Sequence, residues 1–330
     1  MIKVVYVLTA SLNDYYYEQF FLSYTSLRLH SPKVDVYLLV DEETFSYIND
    51  NHNELLNELE CISVSFKKEY STKERSRILK CTMRKHIQGD FLYIDCDTIV
   101  CTDISSISKI QHTSAVLDNH ELVNEIYPEF LRPLRNAEQF GFSVGFHKKH
   151  FNSGVMWCKD NEETHELFDL WYQLWLQTNK NGIVIDQLSL NEANNRLKGV
   201  IHELAGEWNC QLRYGFRFIH KAKIIHYFAS VDNKTQKLSY SFLLSDKELL
   251  KKIRQENRIN LETMKLLKNP KDAFAIYVVL EVGSFEHIFL NSNYMSLARY
   301  CYLKIPNIYK KIDKWIGMLR TRYCFRNRRC

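Results

Sequence analysis

Short, uninterrupted apolar runs alternate with longer segments of helical spacing through the first ninety or so residues. Ile2 to Thr9 reads IKVVYVLT, a run of strand type, and the segment Tyr15 to His30 repeats Phe20, Phe21, Tyr24 and Leu27 at helical intervals. The alternation goes on to predict a strand over Val34 to Val40, a helix over Glu42 to Leu59 and a strand over Ile62 to Phe66. A helix over Thr72 to His86 and a strand over Phe91 to Ile94 follow. Strands separated by helices predict an α/β fold with a mostly parallel sheet flanked by helices. Such sheets bind ligands outside the carboxyl ends of their strands, so the polar residues just past each apolar run are the ones to examine.

The helix before the fourth strand opens on a capping box, Ser71 with Glu74. Lys73, Arg77, Lys80 and Arg84 recur along it as one cationic stripe, either a solvated face or a row with one or two members turned to a phosphate. From Asn119 to His150 no clean period appears, which fits a long loop or short helices beside a site. Regularity returns with a strand over Phe151 to Cys158, helices over Glu163 to Gln177 and Ile185 to Asn195, and strands near Val200 and over Lys223 to Phe228. Beyond Asp232 the chain reads as helical: Ser245 with Glu248 is a capping box for Asp246 to Leu267, and Met295 to Tyr323 reads as one or two helices. The expected organisation is an α/β domain over 1–232 and a helical C-terminal region over 233–330.

Composition adds three points. With 45% hydrophobic and 25% charged residues the chain is an ordinary globular protein, which excludes disordered and collagen-like classes. Nine scattered cysteines without a CxxC pair, on a chain opening MIKVVYVLTA, lead us to expect reduced thiols and a cytoplasmic location. The net charge of +5 is polarised: Leu303 to Cys330 holds nine Lys or Arg against Asp313 and carries +8, leaving −3 for the rest.

The most informative segment is Phe91-Leu92-Tyr93-Ile94-Asp95-Cys96-Asp97-Thr98. In extended chain, residues i and i+2 share a face, so Asp95 and Asp97 converge at the end of a buried strand. Two carboxylates this close repel unless a cation neutralises them. Mg²⁺ or Mn²⁺ there would stabilise the charge that builds on a departing diphosphate.

This segment resembles the "YLDxD" strand of GT-A glycosyltransferases, and within them family 8, the lipopolysaccharide galactosyl- and glucosyltransferases and glycogenin-like enzymes. Further motifs follow in the family's order: Phe151-Asn152-Ser153-Gly154 resembles "FNxG", Asp186-Gln187 resembles "DQ", Trp208-Asn209 resembles "WN", and His226 resembles the family's late metal-binding histidine. The resemblance spans roughly residues 1 to 230 and implies a hexose transfer from a nucleotide-diphosphate sugar, such as a UDP-sugar, to a glycan or lipid-linked acceptor with retention of configuration. It implies that Asp95, Asp97 and His226 hold Mn²⁺ or Mg²⁺, and that Thr9, Ala10, Asn13 and Asp14 face the nucleotide. It implies donor contacts from Arg77, Lys80, Asp95, Cys96, Asp97, Asn152, Ser153, Gly154, Asp186 and Gln187, catalytic roles for Asp186 and Gln187, and acceptor contacts from Asp118 and Asn209. Two segments depart from the pattern. The first loop reads Thr-Ala-Ser-Leu-Asn-Asp rather than "ADxNY", and the "HxxGxxKPW" ending is absent, leaving Arg77, Lys80, Lys221 and Lys223 to supply the diphosphate cation.

Two other readings remain open at this stage. A haloacid-dehalogenase-type phosphatase would use Asp95 as nucleophile and Asp97 as acid, although Thr98 stands one place early for that motif. A non-catalytic glycan-binding or assembly subunit would keep the fold without turnover. The basic tail interleaves its cations with Ile308, Ile312, Trp315, Ile316 and Leu319 on one helical stripe, the pattern of a helix lying on an anionic membrane surface, here the cytoplasmic face. No basic motif in the main domain points to nucleic acid.

Overall fold

The computed structural model describes residues 2–123, 137–143, 149–214, 217–228, 244, 246–274 and 285–326. Contacts divide the chain into two compact units, 1–274 and 275–330. In the first, β1 (Lys3–Leu8), α1 (Tyr16–His30), β2 (Asp35–Asp41), α2 (Glu42–His52), β3 (Glu60–Val64), α3 (Thr72–His86) and β4 (Phe91–Ile94) build the expected alternation. Then come β5 (Thr98–Val100), β6 (Ser114–Leu117), β7 (Phe151–Cys158), α4 (Glu162–Asn179), α5 (Gln187–Arg196), β8 (His202–Leu204), β9 (Cys210–Gln211) and β10 (Ile224–His226). Helices α6 (Lys247–Glu256) and α7 (Leu261–Lys268) complete the unit.

The main sheet has the order β3-β2-β1-β4-β7-β6-β8. All its neighbours pair in parallel except β7, which runs antiparallel to both β4 and β6. Both faces are covered, so β1 alternates between two cores: Val5 and Val7 pack with Ile78, Leu79 and Met83 of α3 and Trp171 and Trp175 of α4. Val4, Tyr6 and Leu8 pack with Phe20 and Leu27 of α1. This is why the strand reads as an unbroken apolar run rather than an alternating one. The reversal of β7 matters for function. Because it enters the sheet from the end where β4 and β6 leave it, Ile94 pairs with Val155 and Leu117 with Phe151. Asn152, Ser153 and Gly154 therefore lie beside the residues that follow β4 and β6.

A second sheet, β5-β10-β9, sits next to that edge. Strand β5 begins immediately after Asp97, and its pairing with β10 sets Thr98 opposite His226. The Tyr227 N–H donates to the Asp97 carbonyl at 2.9 Å, which extends the pairing to the carboxylate loop itself.

Three sequence expectations need correction. The helix expected over Glu42 to Leu59 ends at His52 and continues as a 3-10 turn, Asn53–Asn57, after a stretch of Asn and Asp whose side chains compete for backbone hydrogen bonds. The segment Asp246 to Leu267 is two helices, broken where Asn257 takes a left-handed conformation at φ 49° and Asn260 caps the next helix. Its first cap is Asp246, which accepts from Glu248 N and Leu249 N, while Ser245 lies outside the described residues. In the second unit α8 (Phe285–Leu290), α9 (Asn293–Lys304) and α10 (Pro306–Arg326) are described, with Pro306 separating the last two. No helix among the described residues is long and apolar enough to cross a membrane.

Candidate active site

Past the end of β4 the chain turns so that Asp95, Asp97 and His226 point at one another. One ligating atom from each lies within 4.8 Å of the others, and among the described residues no other trio of acids, histidines or cysteines converges so. His226 Nε2 is 3.3 Å from Asp97 Oδ1 and 3.9 Å from Asp95 Oδ2. Burial opposes charge on both members of the closer pair. Against it, the charge and hydrogen bond of His226 hold the Asp97 carboxyl below its ordinary range, and Asp97 raises His226 in return.

The tautomer of His226 follows from its neighbours. The Gly154 N–H can only donate, and it donates to Asn152 Oδ1 at 3.0 Å. Asn152 Nδ2 must then be the amide nitrogen that reaches Asp118 Oδ1 at 3.0 Å and Gln187 Oε1 at 3.2 Å. Asn209 Nδ2 also donates to Asn152 Oδ1, at 2.8 Å, so Asn209 Oδ1 faces His226 Nδ1 at 3.1 Å. Nδ1 therefore carries a proton, and Nε2 is the nitrogen presented to the carboxylates. A second ring hydrogen bond of this kind orients histidines for metal binding.

Gly154 completes the cluster. A β-carbon at this position would fall 2.3 Å from His226 Cε1 and 2.8 Å from both His226 Nδ1 and Asp95 Oδ2. The trio and the absent side chain thus form one cradle, a candidate site for a cation. Two carboxylates and an imidazole are donors of the type a divalent metal takes.

A charged wall stands beside the cradle. Lys80, 2% exposed, donates to Asp95 Oδ1 at 3.0 Å and lies 3.7 Å from Asp186 Oδ2. Arg77 Nε is 3.1 Å from Asp186 Oδ1, and Ser153 Oγ donates to Asp186 Oδ2 at 3.1 Å. Burial would raise the Asp186 carboxyl, but Lys80 and Arg77 outweigh it and hold it low. Asp186 and Gln187 sit where α5 begins, and Gln187 Oε1 accepts from Asn152 Nδ2 and Ser153 N.

The cationic stripe read along α3 is thereby divided among different environments. Arg77 and Lys80 enter the site and Lys73 is exposed. Arg84 is buried at the far end of the helix, bonded to the Ile87 carbonyl and set over the Phe91 ring at 4.6 Å. Neither Lys221 nor Lys223 joins Arg77 and Lys80 through the contacts they make: Lys221 is exposed in a short turn, and Lys223 lies over the Trp208 ring at 5.0 Å.

Of the residues after β1, Thr9 is buried and donates to the Thr72 carbonyl at 3.4 Å, and the Ala10 N–H donates to Thr44 Oγ1 at 2.8 Å. Asp14 shapes its own loop, accepting from Ser11 N and Ser11 Oγ on one oxygen and from Tyr16 N on the other. Asn13 is exposed, with its N–H on Ser11 Oγ. The Cys96 thiol turns away to the Val7 carbonyl at 3.3 Å.

Sequence reading missed several supporting groups. Tyr93 donates to Asp95 Oδ1, a partner visible in principle because it is two residues earlier on the same strand face. Asn191 brackets Phe151 from one helical turn after Gln187, accepting from its N–H at 2.6 Å and donating to its carbonyl at 2.9 Å. His150 lies 3.9 Å from Asp118 Oδ2, and no local signal marked it.

A mainly parallel α/β sheet with paired carboxylates and a histidine at its strand ends is the arrangement of GT-A glycosyltransferases. The model of glycosyl transferase family 8 matches residues 7–237, and the chain belongs to that family. It is a glycosyltransferase. No curated protein matches the sequence. Among solved structures, the galactosyltransferase LgtC in complex with donor and acceptor sugar analogues is 14% identical, with 80% of this chain and 99% of that one covered and a TM-score of 0.49. Mouse xyloside xylosyltransferase 1 in its apo form is 15% identical over 69% of this chain and 97% of that one, with a TM-score of 0.47. The glycosyltransferase GlyE of Streptococcus pneumoniae TIGR4 is 19% identical over 81% and 63%, also with a TM-score of 0.47.

Proposed function

We propose that this glycosyltransferase moves a hexose from a UDP-sugar to a glycan or lipid-linked acceptor, with retention of configuration and with Mn²⁺ or Mg²⁺ held by Asp95, Asp97 and His226. The observation that carries the reading is the convergence of those three ligand atoms within 4.8 Å around a glycine that leaves them room. A divalent cation there supplies charge to neutralise the departing diphosphate. This chain's own residues do the rest. Arg77 and Lys80 add fixed positive charge beside the cradle, in a partly buried setting where it acts strongly. Asn152, Asp186 and Gln187 offer hydrogen-bonding groups for the donor sugar; Asp118 and Asn209 join the same network through Asn152, and we assign them to the acceptor. Asp118 and Asp186 are each tied to neighbouring donors, Asn152 for the first and Ser153, Arg77 and Lys80 for the second. That favours front-face displacement guided by the leaving phosphate over a covalent sugar intermediate, with catalysis arising from positioning and charge stabilisation.

We place the enzyme at the cytoplasmic face of a membrane, attached through its C-terminal helix. Support comes from α10, where Ile308, Ile312, Trp315 and Ile316 are exposed alongside Lys311 and Lys314. The side chains of Leu319 and of the basic residues from Arg320 onward lie outside the described residues.

The test is a screen of nucleotide sugars by thermal shift in MnCl₂, MgCl₂ and EDTA, with donor hydrolysis measured in parallel on Asp97→Asn. A UDP-sugar should stabilise the protein only with metal, and the variant should fold normally and lose at least about a hundredfold in turnover. Full activity in the variant or in EDTA would sink the metal assignment.

A further inference from the structure

The family match ends at residue 237, yet α6 beyond it packs against α1 and the residues that flank His226. Leu250 and Ile253 of α6 are buried in one cluster with Leu22 of α1 and with Ile225 and Tyr227, which flank His226. At the other end of α6, Asn257 Oδ1 meets His52 Nδ1 at 2.9 Å, and the His52 ring stacks on Tyr17 of α1 at 3.9 Å. The helix is therefore anchored on both sides of Arg254.

The Arg254 guanidinium reaches from this base to the loop between β1 and α1. Nε lies 2.6 Å from Glu18 Oε1 and Nη2 lies 2.8 Å from Oε2, a two-point pairing with a carboxylate that is fully buried. Nη1 donates to the Leu12 carbonyl at 2.8 Å, Nη2 donates to the Asp14 carbonyl, and the guanidinium lies 4.5 Å from the centre of the Tyr15 ring. Within the loop Leu12 is 70% exposed and Asn13 is exposed, so apolar packing does little to fix residues 12 and 13. Their backbone is held by polar contacts: the Asn13 N–H donates to Ser11 Oγ, which Asp14 holds in turn, and the Leu12 carbonyl accepts from Arg254 outside the loop.

We propose that Arg254 is a positioning residue for the donor site, clamping the Leu12–Tyr15 loop in the conformation that receives the nucleotide and so setting donor affinity. This rests on the reading of that loop as the nucleotide contact. A planar guanidinium can serve one carboxylate and two carbonyls at once, whereas a lysine ammonium at the end of a flexible stem cannot reproduce that fork.

The experiment measures UDP binding in MnCl₂ by calorimetry, and KM and kcat for UDP-sugar hydrolysis, on the full-length protein and on Arg254→Ala, Arg254→Lys and Glu18→Gln. With the clamp removed in Arg254→Ala, the UDP Kd and donor KM should rise about tenfold while kcat stays within about twofold, because a misplaced binding loop weakens binding before it alters chemistry. Arg254→Lys should recover most of the melting temperature but less of the affinity, a split that a purely structural residue would not give. If Arg254→Ala fails to fold, Arg254→Lys and Glu18→Gln carry the same comparison. Unchanged Kd and KM in folded variants, or a loss in kcat alone, would overturn the clamp. Failure of the unaltered protein to bind UDP or any other nucleoside diphosphate would overturn the reading of the loop and the clamp with it.

Discussion

Replacing Gly154 with alanine tests the cradle through a single methyl group. Gly154 does not occupy the left-handed region, so its backbone accepts alanine and the perturbation is confined to the added carbon. That carbon would stand 2.3 Å from His226 Cε1, and restoring contact at 3.4 Å moves the ring by about 1 Å. The ring has little freedom to comply, being tied to Asn209 through Nδ1 and stacked on Phe228 at 4.0 Å. Metal–ligand bonds of hard cations are about 2.1 Å and tolerate little spread, so a 1 Å displacement of this order takes Nε2 out of ligand range. We expect Gly154→Ala to lower stability by about 1–3 kcal/mol, the usual cost of overpacking. Metal affinity should fall by about 10- to 100-fold, as when an orienting contact of a metal ligand is lost. The assay is a Mn²⁺ titration of EDTA-treated protein followed by calorimetry, with donor hydrolysis measured across the same concentrations. High Mn²⁺ should recover part of the turnover. A variant that binds Mn²⁺ as tightly as the parent and turns over at the parental rate would refute the reasoning, whatever its melting temperature.

Three further outcomes are expected. Asp186→Asn leaves the buried Lys80 and the half-buried Arg77 short of a partner and should cost about 1–3 kcal/mol at pH 7. Because the folded-state pKa of Asp186 is held below its unfolded value, that contribution is full above about pH 4 and is lost as pH falls through the folded value; thermal melts of parent and variant should converge in acid, and a constant gap would count against it. Gln187→Ala removes the acceptor of Asn152 Nδ2 and Ser153 N, and should reduce kcat by about tenfold or more while changing stability by about 1 kcal/mol; early melting with normal specific activity would make the residue structural. A chain ending at Tyr302 should stop sedimenting with anionic vesicles but still hydrolyse donor, since each basic residue near such a surface contributes about 1 kcal/mol, and unchanged vesicle binding would refute the anchor.

Sequence alone determined what is encoded within a few residues of itself. The strands β1, β2 and β4 were legible because burial on both faces forces continuous apolar runs, and α3 because Ser71 and Glu74 cap it reciprocally. Asp95 and Asp97 declared themselves as two carboxylates just beyond a buried strand, although they converge through a turn at Cys96 and Asp97 rather than through extended chain. The motifs around Asn152, Asp186, Asn209 and His226 were visible as words, but their meeting was not. It depends on β7 entering the sheet antiparallel and on β10 pairing with β5, both fixed by pairing between segments far apart in the chain. Local spacing also could not separate Lys80 from Arg84. They are four residues apart on one helix, and only the tertiary partners separate them: Lys80 faces Asp95 and Asp186 in the site, whereas Arg84 faces the Ile87 carbonyl, Phe91 and Asp160 away from it. Arg254 lay further out of reach, since nothing in its own segment records that Leu12, Asp14 and Glu18 are its partners. Periodicity reports which face of an element is buried; what that face is buried against is decided by the packing of the whole domain.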